Sequence, residues 1–240
     1  MHETAGEYWR AYFEAIADHP PRETLLHALA LFDREGRRAP EPTPGAAPVP
    51  GVSVGAHIPG SCPCHPAAAG VALDLACGEG RDTLELLRRR WCVLAIDSHP
   101  EALARLSRVV PEDLSAYLRT GVETMEDLPL PPDMFDLVNA SMALPHCPAA
   151  SFPGLWERLG ASIRPGGRFA GQLFGPRDTW ASSPDPGVSR IFHSRGEVES
   201  LLARANLEAE MFDEVERDGR DAFGRAKRWH VYHLVARKKA

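Results

Sequence analysis

The chain has 240 residues, of which 44% are hydrophobic and 25% charged, and its formal net charge at neutral pH is −6. These values are typical of a globular α/β domain, and an acidic chain without a basic stripe argues against a nucleic-acid-binding protein. The first residues, MHETAGEYWR, lack the basic and apolar regions of a signal peptide, and no apolar run is long enough to span a membrane. With an odd number of cysteines, five, we expect reduced thiols and a cytoplasmic protein.

Two amphipathic helices are predicted before residue 36. Large apolar side chains recur at helical spacing at Tyr8, Trp9, Tyr12, Phe13 and Ile16. A second pattern of this kind runs from Arg22 to Arg34. Trp9 and Tyr12 either belong to the core or form a lid over a ligand and bind substrate, because aromatic residues are common in both places.

The next segment, residues 37–70, is rich in proline and shows neither helical nor strand periodicity, which predicts a long loop. It contains Cys62, Cys64 and His65, which could form half of a zinc site. No second Cys/His pair follows at ligand spacing, so the sequence favours a loop with incidental thiols and no metal.

A strand, a glycine loop and a helix follow in VALDLACGEGRDT, Val71 to Thr83. Asp74 lies near the end of the apolar run, and small residues occupy positions 76, 78 and 80. This order of elements brings backbone N–H groups and a helix N-terminus to a ligand. A second acid, Asp97, ends the next apolar run about twenty residues after the loop, where nucleotide-binding α/β units hold a ribose. A strand-end acid that caps the next helix is the alternative for Asp97.

DLACGEG resembles motif I of the class I S-adenosylmethionine (SAM) methyltransferases, an acid followed by three alternating glycines, with Ala76 at the first glycine. The resemblance implies a Rossmann-like three-layer α/β sandwich with a mostly parallel seven-stranded sheet and an antiparallel last strand. It also implies SAM as cofactor and S-adenosylhomocysteine (SAH) as product. The implied cofactor-binding residues in this part of the chain are Asp74, Ala76, Cys77, Gly78, Gly80, Asp97 and Ser98.

The resemblance extends through the second half of the chain, to Arg237. By position, it places Glu123, Thr124 and Met125 near the adenine, and Asn139 and Ala140 near the methionine amino group. Strands are expected at 115–122, 134–138, 164–174, 207–214 and 228–236, with helices at 83–90, 100–110, 152–163 and 195–205. The loop at 176–190 is expected at the rim of a substrate pocket, and the basic residues near the C-terminus are expected to be solvated.

His146 follows the fourth strand, on the side where this family presents its substrate. If the methyl acceptor must lose a proton, a histidine in this place could act as the base; the alternative is a structural histidine at the edge of the core. Methyl transfer itself needs mainly that donor and acceptor are held close together, which agrees with a sequence that has many binding positions and no conspicuous catalytic dyad.

The sequence therefore predicts N-terminal cap helices at 1–36, a Pro-rich loop at 37–70 and a SAM-binding methyltransferase core at 71–240. The predicted function is methyl transfer from SAM to a small molecule. Two alternatives stay open: a NAD(P)-dependent oxidoreductase on a similar fold, against which the loop spacing argues, and a non-catalytic partner protein with this fold.

Overall fold

The computed structural model describes residues 5–16, 19–37, 68–185 and 188–240. The predicted Pro-rich loop with Cys62, Cys64 and His65 lies almost wholly outside the described residues. In the described ranges, none of the helices is long and apolar enough to cross a bilayer.

The helices are α1 (Ala5–Ile16), α2 (Glu23–Arg34), α3 (Arg81–Arg88), α4 (Pro100–Val109), α5 (Phe152–Ser162), α6 (Thr179–Ser182) and α7 (Arg195–Arg204). The strands are β1 (Val71–Leu75), β2 (Cys92–Asp97), β3 (Leu118–Val122), β4 (Phe135–Ala140), β5 (Ile163–Phe174), β6 (Leu207–Arg220) and β7 (Ala226–Lys238).

The described strands form one seven-stranded sheet in the order β3-β2-β1-β4-β5-β7-β6. The pairs from β3 to β5 are parallel, and β7 runs antiparallel to both β5 and β6. This confirms the predicted mixed sheet. Every residue of β1, β2 and β4 is buried, as expected for parallel strands covered on both faces.

Two hydrophobic layers cover the sheet, because alternate residues of a strand face opposite sides. Leu73 of β1 packs with α5 and α7 on one face. The neighbouring Ala72 packs with α2, α3 and α4 on the other. The second predicted helix thus belongs to the core, with Leu25, Leu29 and Phe32 almost completely buried.

The chain changes direction at the centre of the sheet. From β1 it continues to β2 and β3 on one side, and then returns to β4 and β5 on the other. At such a switch point the loops after the two central strands diverge and leave a crevice at the carboxyl ends of the strands. The carboxyl ends of β1, β2 and β4 and the loops after them carry most of the residues that the sequence predicted as a site.

The last two strands are longer than predicted. Predicted at 207–214 and 228–236, they pair from Leu207 with Lys238 to Arg220 with Ala226, with one shift of register between Ala209 and Met211. The turn is stabilised by Asp221, whose Oδ1 accepts the backbone N–H groups of Phe223 and Arg225, both at 2.9 Å. The polar outer half of this hairpin lacked the apolar signal by which the sequence marks a strand.

Two further expectations were wrong in detail. The third strand begins at Leu118, since Glu112–Tyr117 form a 3₁₀ helix. The basic C-terminal residues are not a solvated tail: Arg237 donates to Glu35 at 2.9 Å, and Lys238 Nζ donates to the carbonyl oxygens of Gly160 and Ala205 at 2.9 and 2.7 Å. The sequence pattern could not predict these contacts, because the partners of Arg237 and Lys238 lie in distant parts of the chain.

Candidate active site

The glycine loop turns the chain from β1 into α3. Ala76, Gly78 and Gly80 all have left-handed backbone, with φ of 52°, 57° and 90°. A Cβ at Gly80 would lie 2.2 Å from Leu106 Cδ1, so Gly80 is required for packing against α4. The unusual position is Ala76, because a left-handed conformation costs a residue with a Cβ about 1–2 kcal/mol.

The acid at the end of β2 holds this loop. Asp97 Oδ2 accepts the backbone N–H of Gly78 and Oδ1 accepts that of His99, each at 2.8 Å. His99 is the N-cap residue of α4, which has no side-chain cap hydrogen bond, so Asp97 fixes the chain just before the helix and does not cap the helix itself. Each carboxylate oxygen keeps a second lone pair, which a ribose hydroxyl can use.

A buried polar cluster lies beneath the loop. Asp74 accepts from Thr83 Oγ1 at 2.5 Å and from Asn139 Nδ2 at 2.8 Å, and the same Asn139 amide donates to Asp82 at 3.1 Å. Burial, and then the nearby charge of Asp82, raise the pKa of Asp74 to about 7. Two carboxylates in one wall make this end of the crevice electronegative and suited to a cationic group.

Most of the predicted residues meet in one cavity, of about 210 Å³. The predicted residues that line it are Trp9, Tyr12, Asp74, Ala76, Cys77, Gly78, Asp97, Ser98, Glu123, Thr124, Met125 and His146. Gly80, Asn139 and Ala140 are not among its lining residues. Gly80 packs on α4, Asn139 is fully buried behind Asp74, and Ala140 is buried in the sheet.

Asp82 and Met142 line the same cavity and were missed by the sequence. Asp82 could have been predicted as a site residue from the sequence, because it is an acid in the first turn of the helix that follows the glycine loop. Met142 has φ of 57°, and its N–H donates to Gln172 Oε1 at 2.8 Å. Gln172 in turn donates to Thr24 of α2 at 2.8 Å, a link across 148 residues that no local pattern contains.

Helix α1 forms the roof of the cavity. The ring of Trp9 lies edge-on to that of His146, with centroids 4.9 Å apart, and packs against Tyr12 at 5.5 Å. Phe13 reaches over the glycine loop, where its Cε1 would be 3.4 Å from a Cβ at Gly78. The aromatic stripe that the sequence marked thus faces the crevice as well as the core.

His146 lies at the inner end of the roof. Its Nδ1 is buried and has no hydrogen-bond partner among the described residues. Burial, followed by the nearby charge of Arg190, lowers the pKa of His146 to about 3. The imidazole is therefore neutral at physiological pH, and a group with so low a pKa accepts a proton poorly there.

A second cavity, of about 270 Å³, adjoins the first and shares with it Trp9, Tyr12, Ile16, Met142 and His146. Its other walls come from the loop after β5 and from the β6–β7 hairpin. They include Phe174, Trp180, Arg217, Trp229 and His233. Trp180 belongs to the polar loop that was expected at a pocket rim. The part of the chain that the structure describes contains no group of three His, Cys, Asp or Glu residues placed to hold a metal.

Part of this chain is similar to known proteins. Residues 72–167 match the model of a family described as a methyltransferase domain. An uncharacterized methyltransferase of Synechocystis is 36% identical over 98 residues, which are 41% of this chain and 44% of that protein. One of Mycobacterium tuberculosis is 33% identical over 114 residues, 47% of this chain and 43% of the relative. The chain thus spans less than half the length of the curated relatives it matches.

Solved structures support the fold. A 1,6-didemethyltoxoflavin N1-methyltransferase of Burkholderia thailandensis, with bound 1,6-didemethyltoxoflavin and SAH, has a TM-score of 0.59 at 20% identity, covering 98% of this chain and 86% of that one. A SAM-dependent methyltransferase of Mesorhizobium loti has a TM-score of 0.57 at 19% identity over 70% of this chain and 91% of its own. The comparisons thus show a methyltransferase domain at residues 72–167 and, for the chain as a whole, the fold of SAM-dependent methyltransferases.

Proposed function

We propose that this protein transfers a methyl group from SAM to a small molecule and releases SAH. The observation that carries the proposal is the pair of cavities that meet at Met142 and His146 beneath α1. One cavity has the glycine loop and the strand-end acids, and the other has aromatic walls and no such loop. Two adjoining sites of different character suit a donor and an acceptor.

The residues of the first cavity fit SAM. Asp97 has a free lone pair on each oxygen for the ribose hydroxyls, and Asp74 with Asp82 offers carboxylate charge for the amino group. The segment Glu123–Met125 is proposed to hold the adenine edge, where Thr124 is anchored by a 3.0 Å bond to Asp127. Asn139 acts through Asp74, because its side chain is enclosed by Asp74, Asp82 and Ser141.

SAM supplies a methyl group on a positively charged sulfonium, and the protein's task is to hold the acceptor in line with it. Alignment of two bound reactants can by itself supply much of the rate. The α1 roof serves this by excluding water: Trp9, Tyr12 and Phe13 cover the crevice with aromatic surface. We therefore propose that residues 1–36 are a cap on the 71–240 core, with Trp9 and Tyr12 in contact with both ligands.

For His146 we propose a role as a hydrogen-bond acceptor in place of the general base that the sequence suggested. As a neutral imidazole with an unpartnered Nδ1, it offers a hydrogen-bond acceptor to a hydroxyl or amine of the methyl acceptor. In this proposal it orients the acceptor, and its low pKa makes removal of a proton by His146 at neutral pH a minor contribution.

Calorimetry with SAM, SAH, NAD and NADP tests the cofactor, followed by measurement of SAH release with a panel of small molecules. Micromolar binding of SAM and SAH with no heat from the dinucleotides is expected, and binding of NAD or NADP alone would overturn the proposal. SAM binding without turnover of any panel member would favour the non-catalytic partner protein. We also propose a cytoplasmic location, which the free thiols of Cys77, Cys92 and Cys147 support.

A further inference from the structure

The second cavity has one strongly aromatic wall. Trp180 and Trp229 lie edge to face with ring centroids 5.3 Å apart, and Phe174 is 5.6 Å from Trp180. All three line the cavity, together with Tyr8 and Trp9. Aromatic side chains prefer to bind flat rings, through offset stacking or edge-to-face contact, so this wall suits a planar ligand.

The same wall is unsuited to a cationic ligand. Lys227 Nζ lies 3.6 Å from the Trp180 ring and 4.3 Å from the Trp229 ring, and it is paired with the buried carboxylate of Asp178. Lys227 is not among the cavity-lining residues, so its ammonium group contacts these rings from outside the cavity. Its positive charge opposes the binding of a ligand cation by the same rings.

Basic side chains also line this cavity. Arg22, Arg217 and His233 all line it, and burial, followed by the nearby charges of both arginines, lowers the pKa of His233. Arg22 contacts Tyr12, but its Nε–H is buried without an acceptor among the described residues. A buried N–H of a charged group without a partner costs free energy, which a ligand oxygen would recover.

The carboxylates near these groups do not cancel them. Asp221 lines the cavity, but its oxygens already accept two backbone N–H groups and the guanidinium of Arg225. Asp213 and Glu23 act on His233 from outside the cavity lining. In a chain with a net charge of −6, the presence of Arg22, Arg217 and His233 in one cavity lining is a local feature and suits a negatively charged group.

We propose that the methyl acceptor is a planar aromatic molecule that carries an anionic group. The ring lies against Phe174, Trp180 and Trp229, and the anion is bound by Arg22 and Arg217. The remaining edge of the ring then faces Met142 and His146, where the two cavities meet. This inference rests on the proposed function, because it takes the second cavity as the acceptor site.

The test is calorimetry on the SAH-saturated protein with four probes: 2-naphthoate, 2-naphthyl phosphate, 2-naphthamide and cyclohexanecarboxylate. At least one naphthyl anion should bind about tenfold or more tighter than the neutral amide, since a charge-assisted hydrogen bond is worth about that factor. It should also bind tighter than the non-aromatic acid. Comparison of carboxylate with phosphate identifies the anionic group.

Variants assign the effect to the proposed residues. Arg217→Gln, on the exposed strand surface, and Arg22→Gln should each reduce anion binding about fivefold or more, while binding of 2-naphthamide and SAH is unchanged. Arg228→Gln removes the same charge from the same hairpin but lies outside the cavity lining and should change nothing. Since Arg217 is exposed, that variant tests the proposal even if Arg22→Gln fails to fold.

Equal binding of acid and amide, no binding of any naphthyl compound to the SAH complex, or full anion affinity in Arg217→Gln would overturn this inference. Those results would leave SAH binding intact, and so they would not contradict the proposal that SAM is the cofactor. Failure of the wild-type protein to bind SAH at all would instead remove the proposed function.

Discussion

The Asp97 carboxylate accepts the backbone N–H of Gly78 at 2.8 Å, so the acid at the end of β2 holds the glycine loop after β1. The same carboxylate accepts the N–H of His99 and lines the cavity. One side chain thus connects two loops and a ligand site, and its removal affects the loop as well as the ligand.

Asp97→Ala should weaken SAH binding by at least about tenfold, since a hydrogen bond to a charged group contributes about 1.5–3 kcal/mol. Calorimetry measures the affinity. Asp113→Ala, which removes a carboxylate with a side chain 68% exposed, is the matched control and should bind normally. An Asp97→Ala protein that binds SAH as tightly as the parent would contradict the ribose assignment.

Ala76→Gly should stabilise the protein by about 1 kcal/mol, because glycine adopts the left-handed backbone without the Cβ penalty. Urea unfolding of the ligand-free protein measures the free energy. Ala104→Gly, at an exposed site within α4, is the control and should destabilise by about 0.5–1 kcal/mol. An equal decrease in the free energy of unfolding in both variants would show that the backbone at position 76 is not strained.

Asp74 should make stability fall as the pH rises. Its pKa is raised to about 7 in the folded protein from an ordinary value of 3.8, so between these values the folded state binds more protons than the unfolded state. Its contribution is full below about pH 4 and is lost as the pH approaches 7. Above that pH its effect is constant.

Asp74→Asn tests this contribution, because asparagine keeps the shape and stays uncharged. The difference in unfolding free energy, Asp74→Asn minus wild type, should grow from pH 4 to pH 7 and then level off. Taking a difference removes the opposite contribution of His146, whose lowered pKa makes stability rise with pH between about 3 and 6.5. A difference that is flat across this range would contradict the raised pKa.

His146→Ala should lower kcat/KM for the methyl acceptor by about tenfold, the value of one hydrogen bond, with SAH affinity unchanged. A loss of about 10²–10⁴-fold would instead show that His146 acts as the general base. His193→Ala is the control: that histidine also has a buried, unpartnered Nδ1 and a lowered pKa, but it lines neither cavity.

The local sequence was sufficient for the elements that build the cofactor crevice. An apolar run, small residues that allow a left-handed turn and a helical pattern define β1, the loop and α3, because each depends on residues within a few positions. The interval from the loop to Asp97 likewise follows from one helix and one strand. These features account for six of the predicted residues that line the first cavity: Asp74, Ala76, Cys77, Gly78, Asp97 and Ser98.

The sequence alone determined the strand, loop and helix of the cofactor crevice, because the periodicity and turn chemistry that encode them are local. Only the tertiary structure decided the second cavity, where Arg22 before α2 meets Arg217 and His233 of the hairpin. It also decided the pKa of His146, since burial and the charge of Arg190, 44 positions later in the chain, lower it. Such effects depend on which distant segments pack together and how much water they exclude, and neither is written in local periodicity.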